Sequence, residues 1–145
     1  MAEVRAARVL LVEDNEADVR LTREALREPG PPVRLSSVPD GEQALAFLRR
    51  KDGYADAQRP DLVLLDLNLP RKNGLEVLEE MRADEQLRRI PVIVLTSSAA
   101  RQDVEDSYAR GANAFVVKPQ DLDAFMDLIE SIRRFWLEVA QLPSR

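Results

Sequence analysis

The chain has 145 residues, 45% of them hydrophobic and 32% charged, with a net charge of −5; that is one domain's worth of protein with enough apolar content for a core, neither disordered nor membrane-embedded in composition. It contains no cysteine and no histidine, which excludes a disulfide, a thiolate metal site, a Ser-His-Asp triad and a histidine-held zinc. No apolar run approaches the ~18 residues of a spanning helix, the first residues carry acid and arginine where a secretory leader is apolar, and neither the net charge nor a local run of bases attracts nucleic acid; a cytoplasmic protein is expected, with no membrane and no nucleic-acid partner.

The first solid apolar run, Val9-Leu10-Leu11-Val12, is too short for a helix and lacks polar alternation, as in a strand buried on both faces. Asn15 with Asp18 three residues on resembles a capping box opening a helix, which stops before Glu28-Pro29-Gly30-Pro31-Pro32. Val33–Val38 alternates and reads as an edge strand. Asp40 caps a second helix, with Gln43 in its third position, running to about Lys51, and residues 52–60 form a loop. Leu62-Val63-Leu64-Leu65 is the third strand, and a third helix over 75–84 sets Leu75, Leu78 and the aliphatic part of Arg82 at helical spacing. Val92-Ile93-Val94-Leu95 is the fourth strand; Thr96, Ser97 and Ser98 then offer an N-cap to a helix over 99–110, stopped by Gly111. Phe115-Val116-Val117 is the fifth strand, and Asp121 opens a fifth helix that can run to Gln141. Strand and helix in strict alternation predict a doubly wound α/β fold with a parallel sheet. Periodicity leaves the strand order open.

Four of these strands end in a residue capable of chemistry. Glu13 and Asp14 follow the first, Asp66 the third, Thr96 the fourth and Lys118 the fifth. In open α/β sheets ligands sit outside the carboxyl ends of the strands, so these residues are expected to share one crevice. Carboxylates crowded together repel and raise a pKa, a conflict that a divalent cation resolves. Without cysteine or histidine that ion must be hard and oxygen-bound, Mg²⁺ or Mn²⁺. Asp66 is then placed as a nucleophile toward a phosphoryl group, assisted by the metal and the Lys118 ammonium, with the Thr96 hydroxyl free to donate to a phosphoryl oxygen. Each residue also has a plain structural use. Glu13 and Asp14 favour a helix N-terminus by ~0.3–1 kcal/mol each, Asp66 can open the turn toward Leu69-Pro70, and a lysine is usually a solvated surface charge. The coincidence at four strand ends is what favours the shared site.

The segments Leu11-Val12-Glu13-Asp14-Asn15, Leu64-Leu65-Asp66-Leu67-Asn68-Leu69-Pro70 with Gly74, Val94-Leu95-Thr96-Ser97, and Gly111-Ala112-Asn113-Ala114-Phe115 through Lys118-Pro119 together resemble a response-regulator receiver domain of the CheY-like class, over roughly residues 7–134. The resemblance implies a flavodoxin-like sheet of order 2-1-3-4-5, with Asp66 as phosphoacceptor. It implies Asp14, Asp66 and the backbone carbonyl of Asn68 as Mg²⁺ ligands, with Glu13 acting through water. Thr96, Ser97 and Lys118 then bind the phosphoryl group, Phe115 is the switch aromatic and the Lys118-Pro119 bond is cis. Phosphate reaches such proteins from a phosphohistidine, which this chain cannot supply, so the implied partner is a sensor histidine kinase.

Residues 1–134 are therefore read as the receiver and 135–145 as an extension of the last helix, too short for a DNA-binding or catalytic module, so that output is expected through protein contact. The apolar positions of that last helix spread over about 200° of arc where a stripe of ~100° covers one core. Phe135, Trp136, Leu137 and Val139 are expected to meet a second copy or a kinase. The Phe135-Trp136-Leu137 ending, with Asn15-Glu16-Ala17-Asp18-Val19-Arg20-Leu21-Thr22 and Leu67 through Gly74, is similar to single-domain regulators of bacterial phytochrome kinases, which dimerise through this region. Two other readings stand beside this one: a phosphorylation-independent adaptor, and a Mg²⁺-dependent phosphatase of the haloacid-dehalogenase type. The latter normally carries a second carboxylate two residues after its nucleophile, where this chain has Asn68.

Overall fold

Each short apolar run becomes a strand because helices cover both faces of the sheet, leaving no strand residue that needs water. A computed structural model describes residues 6–27 and 30–144. In chain order the elements are β1 (Ala7–Val12), α1 (Glu16–Ala25), β2 (Val33–Val38), α2 (Gly41–Arg49), β3 (Leu62–Leu65), α3 (Gly74–Ala83), β4 (Val92–Thr96), α4 (Arg101–Ala109), β5 (Ala114–Val117) and α5 (Leu122–Ile132), continued by a π-helical segment, Arg133–Val139. The five strands are parallel in the order β2-β1-β3-β4-β5, the order that the resemblance implied. β2 pairs only with β1 and is the expected edge. No described helix is long and apolar enough to cross a membrane.

The strands sort their side chains with a period of two into separate cores. Leu10, Val12, Val63, Leu65, Val92 and Val94 pack beneath Leu45 and Leu48 of α2 and Val77, Leu78 and Met81 of α3. Val9, Leu11, Leu62, Leu64, Ile93 and Leu95 face Ala25 of α1 and Phe125, Ile129 and Ile132 of α5. Burial of a large aliphatic side chain contributes about 1.5–3 kcal/mol, so these rows hold the strand ends at fixed height.

The helix boundaries correct several expectations. Asn15 caps α1 by accepting from the N–H groups of Ala17 and Asp18, but the Asp18 carboxylate does not close a capping box; it turns to Lys118. Residues 28 and 29 of the proline-rich stop, like 1–5 and 145 at the ends, lie outside the described residues. Asp40 caps α2 as expected, its two oxygens accepting from the backbone and side-chain nitrogens of Gln43. α3 starts at Gly74 with a full capping box between Asn73 and Glu76. None of Thr96, Ser97 and Ser98 caps α4, because Ala99 and Ala100 intervene before it starts at Arg101 and the cap position falls on Ala100, which has no side-chain oxygen to accept with. α5 ends at Ile132 and the chain continues as the π-helical segment rather than as α-helix to Gln141.

Candidate functional site

Because all five strands are parallel, their carboxyl ends share one edge, and β1, β3, β4 and β5 deliver the expected residues there. Asp66 follows β3 and is buried; its N–H donates to the carbonyl of Val12, tying the end of β3 to that of β1. Its Oδ1 accepts from the N–H of Asn68 at 3.2 Å, which fixes the carboxylate's rotation. Glu13 is buried, with Oε2 accepting from the N–H of Asn15 at 3.1 Å. Asp14 is exposed, yet one oxygen from each of Glu13, Asp14 and Asp66 lies within 4.8 Å of the others. Asn68 is exposed beside this group.

Lys118 crosses from β5 into the middle of these acids, its side chain only 7% exposed. The ammonium lies 3.2 Å from Asp66 Oδ2 and 2.9 Å from Asp18 Oδ2, and it also donates to Glu13 Oε1. An ammonium has three donors and no acceptor, so three carboxylates use all of its capacity. Asp18 belongs to this site and sequence reasoning missed it there. Its spacing from Asn15 suggested only helix capping, and nothing local signals that α1 reaches β5.

Charge and burial oppose each other here. Burial pushes Glu13 up to about 7; the hydrogen bond from Lys118 acts against this and the Asp66 charge adds to it. For Lys118 burial acts to lower the pKa, but the hydrogen bonds to Glu13 and Asp18 and the charges of Glu13 and Asp66 prevail, so it is held above the ordinary lysine value. Lys118 is therefore a permanent cation, and the carboxylates around it still exceed its charge. Three carboxylate groups within one ion's reach, all hard oxygen donors, suit Mg²⁺ or Mn²⁺.

Thr96 is fully buried at the end of β4; its carbonyl accepts from the Lys118 N–H at 2.8 Å and its hydroxyl accepts from the N–H of Ser98 at 3.4 Å. The hydroxyl thus stands at the same rim, engaged with its own loop rather than with Lys118. Ser97 is exposed. Phe115 is half-buried against the core on the α2–α3 side, while its N–H donates to the Tyr108 hydroxyl at 3.2 Å.

Two expectations need correction. No peptide bond among the described residues is cis, so Lys118-Pro119 is trans; trans is the lower-energy isomer of such a bond by about 0.5–1 kcal/mol, and with it the Lys118 ammonium already reaches all three acids. Of the four residues expected on a partner surface, Trp136 and Leu137 pack against the chain's own α1–α5 core. Only Phe135, 54% exposed, and Val139, 69% exposed, face solvent.

A buried carboxylate, an acidic cluster that could hold an ion and a lysine meet at the carboxyl edge of a 2-1-3-4-5 sheet, the arrangement of a phosphoacceptor signalling module. A family model of the response regulator receiver domain matches residues 9–130. The chain is 43% identical over 136 residues to "Response regulator Rcp1" of Synechocystis sp., an alignment covering 94% of this chain and 92% of that protein. Among solved structures it is similar to the phosphorylated cyanobacterial phytochrome response regulator RcpA, with a TM-score of 0.94, 45% identity and coverage of 97% of this chain and 100% of that one. It is also similar to the Mn²⁺-bound form of Rcp1, with a TM-score of 0.91, 42% identity and coverage of 95% and 99%. The chain belongs to the response regulator receiver family and is a phosphoacceptor signalling protein rather than a catalytic enzyme.

Proposed function

We propose that the protein takes a phosphoryl group from a sensor histidine kinase of the bacterial phytochrome type onto Asp66, with Mg²⁺, and passes the signal on by protein contact as a homodimer, in the cytoplasm. The observation that carries this reading is the 3.2 Å approach of the Lys118 ammonium to the Asp66 carboxylate beside the Glu13–Asp14–Asp66 oxygen cluster. Asp66 Oδ attacks the phosphorus as the bond to the donor's imidazole nitrogen breaks, and the imidazole keeps that bond's electron pair. Asp14, Asp66 and the Asn68 carbonyl would hold Mg²⁺ directly and Glu13 through water; the ion supplies neutralisation of the charge on the transferring group.

Lys118 then exchanges a carboxylate for a phosphoryl oxygen, and Thr96 and Ser97 turn their hydroxyls toward the same group. Phe115, on the strand beside Thr96, follows the space the threonine leaves. Phosphorylation adds about −1.5 to −2 charges. Hydrogen bonds to a charged group contribute about 1.5–3 kcal/mol each, so two or three of them match the roughly 5.5 kcal/mol that inverts a 1:99 population. Phe135 and Val139 supply the partner surface.

The test is intact mass after incubation with Mg²⁺ and acetyl phosphate. The parent is expected to gain one phosphoryl group and Asp66→Asn none. Equal gain by both proteins moves the acceptor elsewhere, and steady turnover of an unrelated phosphate ester points to the phosphatase.

A further inference from the structure

At the other end of the sheet, cations gather around a cavity of about 820 Å³. Arg49, Arg50 and Lys51 come from the carboxyl end of α2, Arg59 from the loop before β3, and Arg88 and Arg89 from the loop before β4. Leu48 and Leu87, both buried, form an apolar floor. Two acids share the rim: Asp84, already taken by the Arg49 guanidinium at 3.6 Å, and Glu85, which is exposed. Among the described residues Arg50, Lys51, Arg88 and Arg89 have no carboxylate within 4.0 Å. That is a local excess of positive charge in a chain whose net charge is −5.

The C-terminus of α2 favours nearby cations, which accounts for Arg49 and its neighbours but not for Arg88 and Arg89, which lie beyond the end of α3 at Ala83. A second observation concerns Arg50. It caps α2 in the left-handed conformation, at φ 57 and ψ 46, where glycine is the unstrained choice. A guanidinium is thus kept at a position whose backbone disfavours any side chain, and non-glycine residues held so gather at ligand clamps.

We infer that this cavity binds a chain of phosphates, free or esterified. Guanidinium groups match phosphate oxygens in bidentate pairs, and the cavity has the size of small-molecule sites, which span about 300–1,000 Å³. Several arginines from separate segments suit a chain of phosphates rather than a single one, and the leucine floor accepts an apolar or aromatic remainder. Parallel strands put the cavity at the edge opposite Asp66, so it stands or falls apart from the phosphoacceptor reading.

The experiment is thermal shift and calorimetric titration of the full chain in magnesium-free buffer at about 0.15 M salt, with inorganic tripolyphosphate and with ATP as probes. Saturable binding of one equivalent is expected, weakened at least about tenfold by Arg50→Gly and by Arg89→Gln and unchanged by Asp66→Asn or by Arg134→Gln, an exposed arginine of the π-helical segment outside the cavity lining. Arg50→Gly is the decisive variant, because relief of the left-handed strain preserves or raises the melting temperature of the unbound protein while affinity falls. ATP binding more tightly than tripolyphosphate assigns a nucleotide; equal binding assigns the phosphate chain itself. Absence of saturation, equal weakening by Arg134→Gln, or equally tight capture of a glutamate peptide of matched charge would overturn the proposal.

Discussion

Glu13 has one carboxylate oxygen on the Lys118 ammonium, the other on the Asn15 N–H, and its stem in the interior. Its pKa is pushed from 4.5 to about 7, first by burial and also by the Asp66 charge, despite the opposing Lys118 hydrogen bond. Between those values the native state holds a proton that the unfolded chain has released. Stability is linked to the difference in bound protons, so Glu13's contribution is complete below the lower value and is lost as pH rises through the upper one. One pKa unit corresponds to about 1.4 kcal/mol, which bounds the loss at about 3 kcal/mol. Urea unfolding in chelator is expected to show the metal-free protein more stable near pH 5 than near pH 8 through this group, with Glu13→Gln flattening the difference. A profile identical in the two proteins would show that Glu13 titrates normally. The Asp66 charge adds to the effect of burial, so Mg²⁺ bound among these carboxylates is expected to favour the ionised Glu13 and to reduce the parent's difference as well.

The elements place these groups through backbone contacts that tolerate little change. A Cβ built on Gly74 would sit 2.3 Å from the Asp66 carbonyl oxygen and 2.7 Å from the Leu67 Cα. Both neighbours are backbone, so the turn carrying Asp66 must move to admit it. Gly74→Ala is expected to lose about 1–3 kcal/mol through overpacking and to slow phosphorylation from acetyl phosphate by roughly tenfold or more, since displacements near 1 Å can cost about a hundredfold. A rate like the parent's, in a variant of lowered stability, would mean that the turn yields without moving the carboxylate. The four strand ends were legible in the sequence because strands covered on both faces read as solid apolar runs, and a polar residue at the end of each run stands out. The strand order came from resemblance, which periodicity could not replace. The Asn73–Glu76 capping box was legible too, in an Asn and a Glu three positions apart, yet the third helix was opened one residue late. The role of Asp18 was not legible, since a residue on α1 reaches Lys118 only after α1 has packed against α5, the helix that follows Lys118. The π-helical segment was hidden for another reason. Its apolar residues extend the pattern of α5 unbroken, and only the hydrogen bonding changes.

On the scale of the molecule, the π-helical segment decides which apolar residues are left over. Trp136 and Leu137 continue the row of Phe125, Ile129 and Ile132 onto the core shared with α1. They anchor the extension, and the N–H of Ala140 donates to the carbonyl of Phe135 at 2.7 Å to close it. Phe135, its ring edge-on to Trp136 at 5.4 Å, and Val139 are thereby held outward. A preorganised apolar pair loses little entropy on association, and a single patch that meets its own copy generates a closed two-fold dimer. The two faces of this short segment therefore respond differently to substitution. Phe135→Asp with Val139→Asp is expected to abolish concentration-dependent sedimentation while leaving the urea midpoint of the monomer nearly unchanged. Trp136→Ala is expected to lower that midpoint, by less than the ~3–5 kcal/mol of a fully buried aromatic, because the indole is half-buried. Sedimentation of the parent as a monomer at every concentration, with and without acetyl phosphate and Mg²⁺, would remove the dimer and leave Phe135 and Val139 for a different protein. A parent that associates only when phosphorylated would instead couple this patch to Asp66 across α5, the helix that joins β5 and its Lys118 to the extension.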